Sequence, residues 1–197
     1  MKTLKVKITT FEEMLGTANA NPFIHEEFIA SKAPDAKKIE EEVAAIGEEE
    51  VFEKQMTVFP RNKDGKPILW DYQIKGFFKD SCGALKRVPG TESGKIKAYK
   101  KEIDGLIFVE PRQIEIKHPG GIMICQRPLR AQTAQGERIA LASSESIEAG
   151  AEIELTITML LDSHEAAVRE WLDYGKLRGL GQWRNSGKGR FTWEEIK

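Results

Sequence analysis

Leu4, Val6 and Ile8 alternate with Lys5, Lys7 and Thr9, a period of two that predicts a half-buried opening strand. The same alternation returns late in the chain, with Ile153, Leu155, Ile157 and Met159 set against Glu152, Glu154, Thr156 and Thr158. Between them the period lengthens. Ile74, Phe77, Phe78, Ser81, Cys82 and Leu85 recur every three or four residues, with Lys75, Lys79 and Lys86 on the opposite side, which predicts a helix over Tyr72–Arg87 ended by Pro89-Gly90. Gly76 and Gly83 inside it cost about 1 kcal/mol each and point to close packing or backbone access. A last helix has Asp162 as its cap, Glu165 completing a capping-box pair, and Val168, Trp171, Leu172 and Gly175 as its inner stripe.

Shorter strands are expected at Gln55–Pro60, Leu106–Val109, Gln113–Lys117 and Ile122–Cys125, with a hairpin-like turn over residues 61–67. Residues 17–50 break the pattern. Asn21-Pro22 opens one short helix, Pro34 a second over Asp35–Ile46, and two Glu triplets (Glu40 to Glu42, Glu48 to Glu50) read as a solvated acidic face. Residues 90–104 are polar and lysine-rich, and residues 126–140 have no apolar period, so both read as extended loops. The 197 residues then make one domain, 1–197, with a helical insertion. The element order is a modified βαββαβ plan: an α+β, ferredoxin-like antiparallel sheet with helices on one face.

Charge changes this picture more than overall composition does. The net charge of −1 conceals a chain whose residues 1–55 carry seven cations against twelve acids, while residues 56–140 carry sixteen against nine. A basic middle in a near-neutral chain can still meet a polyanion, because the local field governs contact. No apolar run approaches a membrane span and no signal-peptide pattern opens the sequence, so no membrane partner and a cytoplasmic location are expected. Cys82 and Cys125 are too isolated for a disulfide framework, and His25, His118 and His164 lack ligand spacing, so no metal or cofactor is expected.

The densest chemistry lies between the last helix and a closing strand. Gly179, Gly181, Gln182, Trp183, Arg184, Asn185, Ser186, Gly187, Lys188, Gly189 and Arg190 combine backbone freedom, three cations and an aromatic ring. Phosphates suit the amides and cations, and a base suits the ring. A nucleotide cradle is a poor match: Gln182 stands where the first glycine belongs, and Gly189 follows the lysine in place of a hydroxyl. The competing reading is a tight turn closing a sheet, its cations facing water.

Three segments resemble the RAMP superfamily, the RNA-recognition-motif-like proteins of CRISPR effector complexes, and within it the repeating subunit of the guide-RNA backbone. They are the strand Lys5 to Thr10, the helix Ile74 to Arg87 with its Lys75-Gly76 entry and basic end, and the run Ile153 to Arg190 with its glycine loop. The chain is also similar to uncharacterised proteins of bacterial phages and prophages. The RAMP resemblance implies that the glycine loop and the basic end of the first helix (Lys75, Lys79, Lys86, Arg87) contact RNA backbone. Arg127, Arg130 and Arg138 are further candidates on the long loop. Target-cutting relatives use an aspartate after the first strand; here Asp35 is placed to cap a helix. His25 is no better supported as a guide-processing histidine, so no catalytic residue is carried over.

The expected function is non-catalytic binding of single-stranded, guide-type RNA, with protein partners or self-assembly. The alternatives are a phage-encoded interaction protein or inhibitor that imitates a CRISPR backbone subunit through its acidic helices, and a metal-independent endoribonuclease whose general base the sequence does not identify.

Overall fold

The computed structural model describes residues 1–20, 56–133 and 136–196. The insertion expected at 17–50 lies outside the described residues from position 21 onward, with its two helices, its Glu triplets, His25 and Asp35. The chain divides into two compact units where its length suggested one domain. The first is Met1–Met14, Pro60–Gly121 and Ile147–Lys197; the second is Leu15–Phe59 and Ile122–Ser146.

In chain order the strands begin with β1 (Lys2–Thr10), β2 (Met14–Leu15), β3 (Ala18–Asn19), β4 (Thr57–Val58) and β5 (Ile68–Trp70). Helix α1 (Asp71–Leu85) follows, then a 3-10 turn at Ser93–Lys95 and helix α2 (Tyr99–Leu106). After β6 (Ile107–Glu110), β7 (Gln113–Lys117), β8 (Ile122–Thr133), β9 (Gly136–Ile147) and β10 (Glu152–Met159) come helix α3 (His164–Arg178), a 3-10 turn at Arg184–Ser186 and β11 (Phe191–Glu195).

In the first unit the sheet order is β11-β1-β10-β7-β5, with β6 also on β10. Every pairing in it is antiparallel. With α1 and α3 as the crossover helices, this places the fourth, first, third and second strands of the βαββαβ plan side by side, the ferredoxin-like order. The period-two pattern sets the register: Val6 lies opposite Leu155 and Ile8 opposite Ile153. Leu4, Val6, Ile8, Ile153, Leu155 and Ile157 are buried, as are Ile74, Phe77, Phe78 and Cys82 of α1 and Val168, Trp171 and Leu172 of α3. Aromatic rings join the layers. Phe78 meets Trp171 at 5.5 Å between centroids, and Phe77 meets Phe191 of β11 at 5.3 Å.

Several local expectations give way. The N-cap of α3 is Ser163, not Asp162, and it makes no side-chain cap bond. Glu165 binds Lys2 at 2.5 Å and Arg169 at 3.0 Å instead of closing a capping box. Residues 90–104 are not an extended loop: they hold a 3-10 turn and the start of α2. Their stabilising partner is Glu170 of α3, whose carboxylate accepts the amides of Glu92 at 2.8 Å and Ser93 at 3.0 Å. Residues 126–140 fall mostly in β8 and β9, strands of 12 residues each. The strand expected at Ile122–Cys125 is the start of β8, which runs on to Thr133 with Met123 and Ile124, neighbours on opposite faces, both exposed.

The second unit holds a sheet of order β2-β9-β4-β3, with β8 also on β9. Its polar interior centres on Ser144, whose Oγ lies 2.7 Å from Thr57 Oγ1 and accepts from Arg127 at 3.0 Å.

Two glycines that look alike in the sequence differ in this fold. A Cβ on Gly76 would meet nothing within 4 Å, so of the two expected grounds close packing does not hold there, whereas one on Gly83 would lie 3.1 Å from the Tyr99 hydroxyl. A Cβ on Gly175 would lie 2.2 Å from the fully buried Phe191 ring. Gly76→Ala is therefore expected to stabilise by up to about 1 kcal/mol through helix propensity. Gly175→Ala gains the same propensity but overpacks the core at about 1–3 kcal/mol, so it should be neutral to destabilising. Urea midpoints of the two variants should move apart, Gly76→Ala upward and Gly175→Ala not above the parent.

Candidate nucleic-acid interface

The glycine loop is built by backbone contacts. α3 ends at Gly179 (φ 75°), whose amide donates to Gly175 at 3.2 Å. The Leu180 amide donates to the Gly189 carbonyl at 2.9 Å, and the Gly189 amide to the Glu13 carbonyl at 2.7 Å. A Cβ on Gly179 would stand 2.4 Å from the Lys188 carbonyl oxygen, and one on Gly189 would stand 1.9 Å from that of Leu180. These two glycines close the loop on itself. Gly181 (φ 79°) and Gly187 (φ 87°) turn it.

Among the described residues Trp183 is the one non-glycine with positive φ, at 53°. Such a conformation costs on the order of 1 kcal/mol or more and concentrates at functional sites. The residue is 40% exposed, and its carbonyl accepts the Ser186 amide and hydroxyl at 3.0 and 2.8 Å. Arg184, Asn185 and Ser186 form the 3-10 turn that follows, and Gln182 precedes it, half-buried.

Each loop cation has a carboxylate. Asp80 of α1 accepts from Arg184 at 3.0 Å and from Arg178 at 2.7 Å. Arg178 also donates to Asn185. Lys188 pairs with Glu13, and Arg190 pairs with Glu12 at 3.2 Å beside the Phe11 ring. The pairs are reached by water: the Arg184, Lys188 and Arg190 side chains keep 29%, 26% and 34% of their exposure.

The α1 cations serve the fold. Lys75 donates to the Asp104 carbonyl and sits over Phe108, Lys79 pairs with the Asp104 carboxylate, and Lys86 donates to the carbonyls of Ile96 and Lys97. Arg87 is exposed. Arg127 is not on an exposed loop but buried in the second unit at 8% exposure, and Arg130 and Arg138 belong to β8 and β9. The structure thus gathers the loop residues with Arg178 and Asp80. The sequence reading passed over Lys97, Lys100 and Lys101, whose spacing was visible but was assigned to a loop. It also passed over a stack of Trp70 on Tyr72, 6.2 Å between rings, with Arg112 over Trp70 at 5.8 Å.

The open face of the first unit's sheet has mixed charge. Lys7 lies between Glu194 at 3.0 Å and Glu152 at 3.3 Å, and hydrogen bonds to them raise its pKa above the ordinary lysine value. Lys117 and Glu154, 2.7 Å apart, are raised and lowered respectively by their mutual hydrogen bond. Burial pushes the Cys82 thiol up, against a weaker opposing hydrogen bond from Ser93, so it is an inert core group. His164, 3% exposed, meets Glu102 at 3.1 Å. No cluster among the described residues could hold a metal ion, and no described helix is long and apolar enough to cross a membrane.

No protein-family model and no curated protein matches the chain. Among solved structures 139 chains match. One is a chain from the cryo-EM structure of the Type III-B Cmr-beta bound to cognate target RNA, with a TM-score of 0.52 and 12% identity. The match takes in all of this chain and 60% of that one, so this chain spans less than two thirds of its length. At that identity the likeness is one of fold, and the fold is the α+β, ferredoxin-like one observed in the first unit.

Proposed function

We propose that this chain is an RNA-binding protein of RAMP-like fold that holds the backbone of single-stranded, guide-type RNA on its glycine loop and does no chemistry on it. The observation that carries the reading is Trp183, strained into a left-handed conformation, solvent-facing, and heading the turn that bears Arg184. An inert bend has no use for that cost. A ring held ready for a base, beside cations, does. The RNA in the solved complex with a similar fold is consistent with this reading.

The carboxylate partners set the terms of binding. Partly exposed ion pairs contribute about 0–1 kcal/mol each, so a phosphate can displace Asp80, Glu12 or Glu13 at modest cost. Asp80 already serves two guanidinium groups with one carboxylate, leaving positive charge for an incoming anion. In this reading Asp80 stands where a phosphate oxygen would.

Fluorescence anisotropy with a labelled single-stranded RNA should show binding that weakens steeply as salt rises. Arg184→Ala with Lys188→Ala should weaken it about tenfold or more at low salt, the removal of two phosphate contacts. Asp80→Asn should strengthen it by up to about fivefold, as its competing ion pair is lost. Full retention of affinity in the double variant would overturn the loop assignment. Trp183→Ala should cost about 1–3 kcal/mol of binding with the salt slope unchanged, because stacking moves no counterion. A flattened slope would contradict the stacking role. Labelled RNA should come through prolonged incubation intact, with or without chelator; specific cleavage would favour the endoribonuclease reading.

A further inference from the structure

We propose a second phosphate-contacting surface for single-stranded RNA on the segment from Lys86 to Lys101, with Arg87, Lys97, Lys100 and Lys101 as its contacting cations. The proposal rests on the RNA-binding reading above but not on the glycine loop.

The segment is pre-shaped. Glu170 binds the amides of Glu92 and Ser93 and the Ser93 hydroxyl, the last at 2.5 Å, and the Trp171 indole donates to Ser93 Oγ at 2.9 Å. Lys86 Nζ donates to the carbonyls of Ile96 and Lys97, each at 3.0 Å, and lies 5.8 Å from the centre of the Tyr99 ring. Ile96 and Ile103 are buried beneath. This orients α2: Ile103 points inward, while Lys100 and Lys101 are exposed, as are Lys97 and Arg87. Ordering such a segment before binding lowers the entropic cost of the contact.

Charge then separates this surface from the glycine loop. Every acid within and against the segment is committed elsewhere. Glu92 pairs with Lys95 at 2.6 Å, Glu102 with His164 at 3.1 Å and Asp104 with Lys79 at 2.5 Å, and Glu170 holds the amides. Among the described residues, Arg87, Lys97, Lys100 and Lys101 have no carboxylate within ion-pair distance. The loop cations must give up a carboxylate to take a phosphate; these need not.

Helix α2 adds an independent sign. Lys100 and Lys101 share its first turn with Glu102, which His164 engages, and the positive end of the helix dipole disfavours the two cations. That is an arrangement that costs stability and repels its own neighbours. An anion lying across the helix start reverses both penalties, which gives the placement a purpose that folding does not.

The test uses the full chain and the same labelled single-stranded RNA. Lys97→Gln with Lys100→Gln and Lys101→Gln should leave the melting temperature unchanged or raised, since two opposed charges leave the helix start. It should flatten the slope of log affinity against log salt by about 2, at roughly 0.7 per lost phosphate contact on a single strand. Lys100→Glu with Lys101→Glu, better suited to the dipole, guards against a folding defect and should bind more weakly still. Unchanged affinity and slope in both variants, while the Arg184→Ala, Lys188→Ala variant binds weakly, would overturn this surface and leave the loop reading standing. Weakened binding in both, with the loop variant unaffected, would establish this surface and remove the loop. No binding by the unaltered chain at low salt would end both.

Discussion

The backbone at Gly179 and the backbone at Gly189 pass closer together than any side chain allows, with Leu180 and Gly189 hydrogen-bonded across the gap at 2.9 Å. Much follows from that approach. It forces the chain leaving α3 to double back before it enters β11 beside β1. It gathers the intervening residues into a small loop whose cations project where Glu12, Glu13 and Asp80 stand. Gly175 extends the same constraint into the core, because Phe191 fills the space a side chain there would take. The glycines are therefore structural first. Whatever the loop binds, it binds with the side chains and turns those glycines put in place.

This closure divides the positive charge of the first unit into two kinds. Cations on the glycine loop are neutralised internally and can meet an anion only by exchange. When a phosphate displaces a carboxylate, the freed carboxylate recovers a counterion, and this offsets part of the counterion release that makes nucleic-acid binding salt-dependent. Cations on the segment before and within α2 make no such exchange, so under the proposed reading the steep part of the salt dependence would be theirs. Helix α1 supports both groups. Asp80 reaches the loop arginines, while Lys79 and Lys86 bind the α2 segment. Lys79 and Asp80 in α1 and Lys86 at its C-cap thus fix both surfaces to the same element.

What was legible in the sequence was what depends on period. The inward positions of β1, β10 and α1 follow directly from alternation and from three- and four-residue spacing, because burial on one face selects residue type at each step. Residues 91–104 were misread for the opposite reason. Their polar composition carries no period, and the carboxylate that orders them lies 77 residues away along the chain, in Glu170. β8 was read as ending at Cys125 because Met123 and Ile124 are both exposed and Arg127 is buried, an order that alternation cannot decode. At the candidate site, the cations and glycines were visible, but their carboxylate partners were not. Asp80 lies 98 residues from Arg178 and 104 from Arg184, and no local pattern joins them.

Two features of the first unit oppose local propensity: the left-handed Trp183 and the paired lysines opening α2. A fold selected for stability alone would place glycine or asparagine at the first and would not set two cations beside Glu102 at the second. Trp183 is 40% exposed, and Lys100 and Lys101 are exposed on the side of α2 away from the buried Ile103. Departures of this kind persist where binding returns what folding gives up. Under the proposed RNA-binding reading the strained ring and the opposed charges would meet different parts of one ligand, a flat base and an anionic backbone, which a single nucleic-acid strand supplies together.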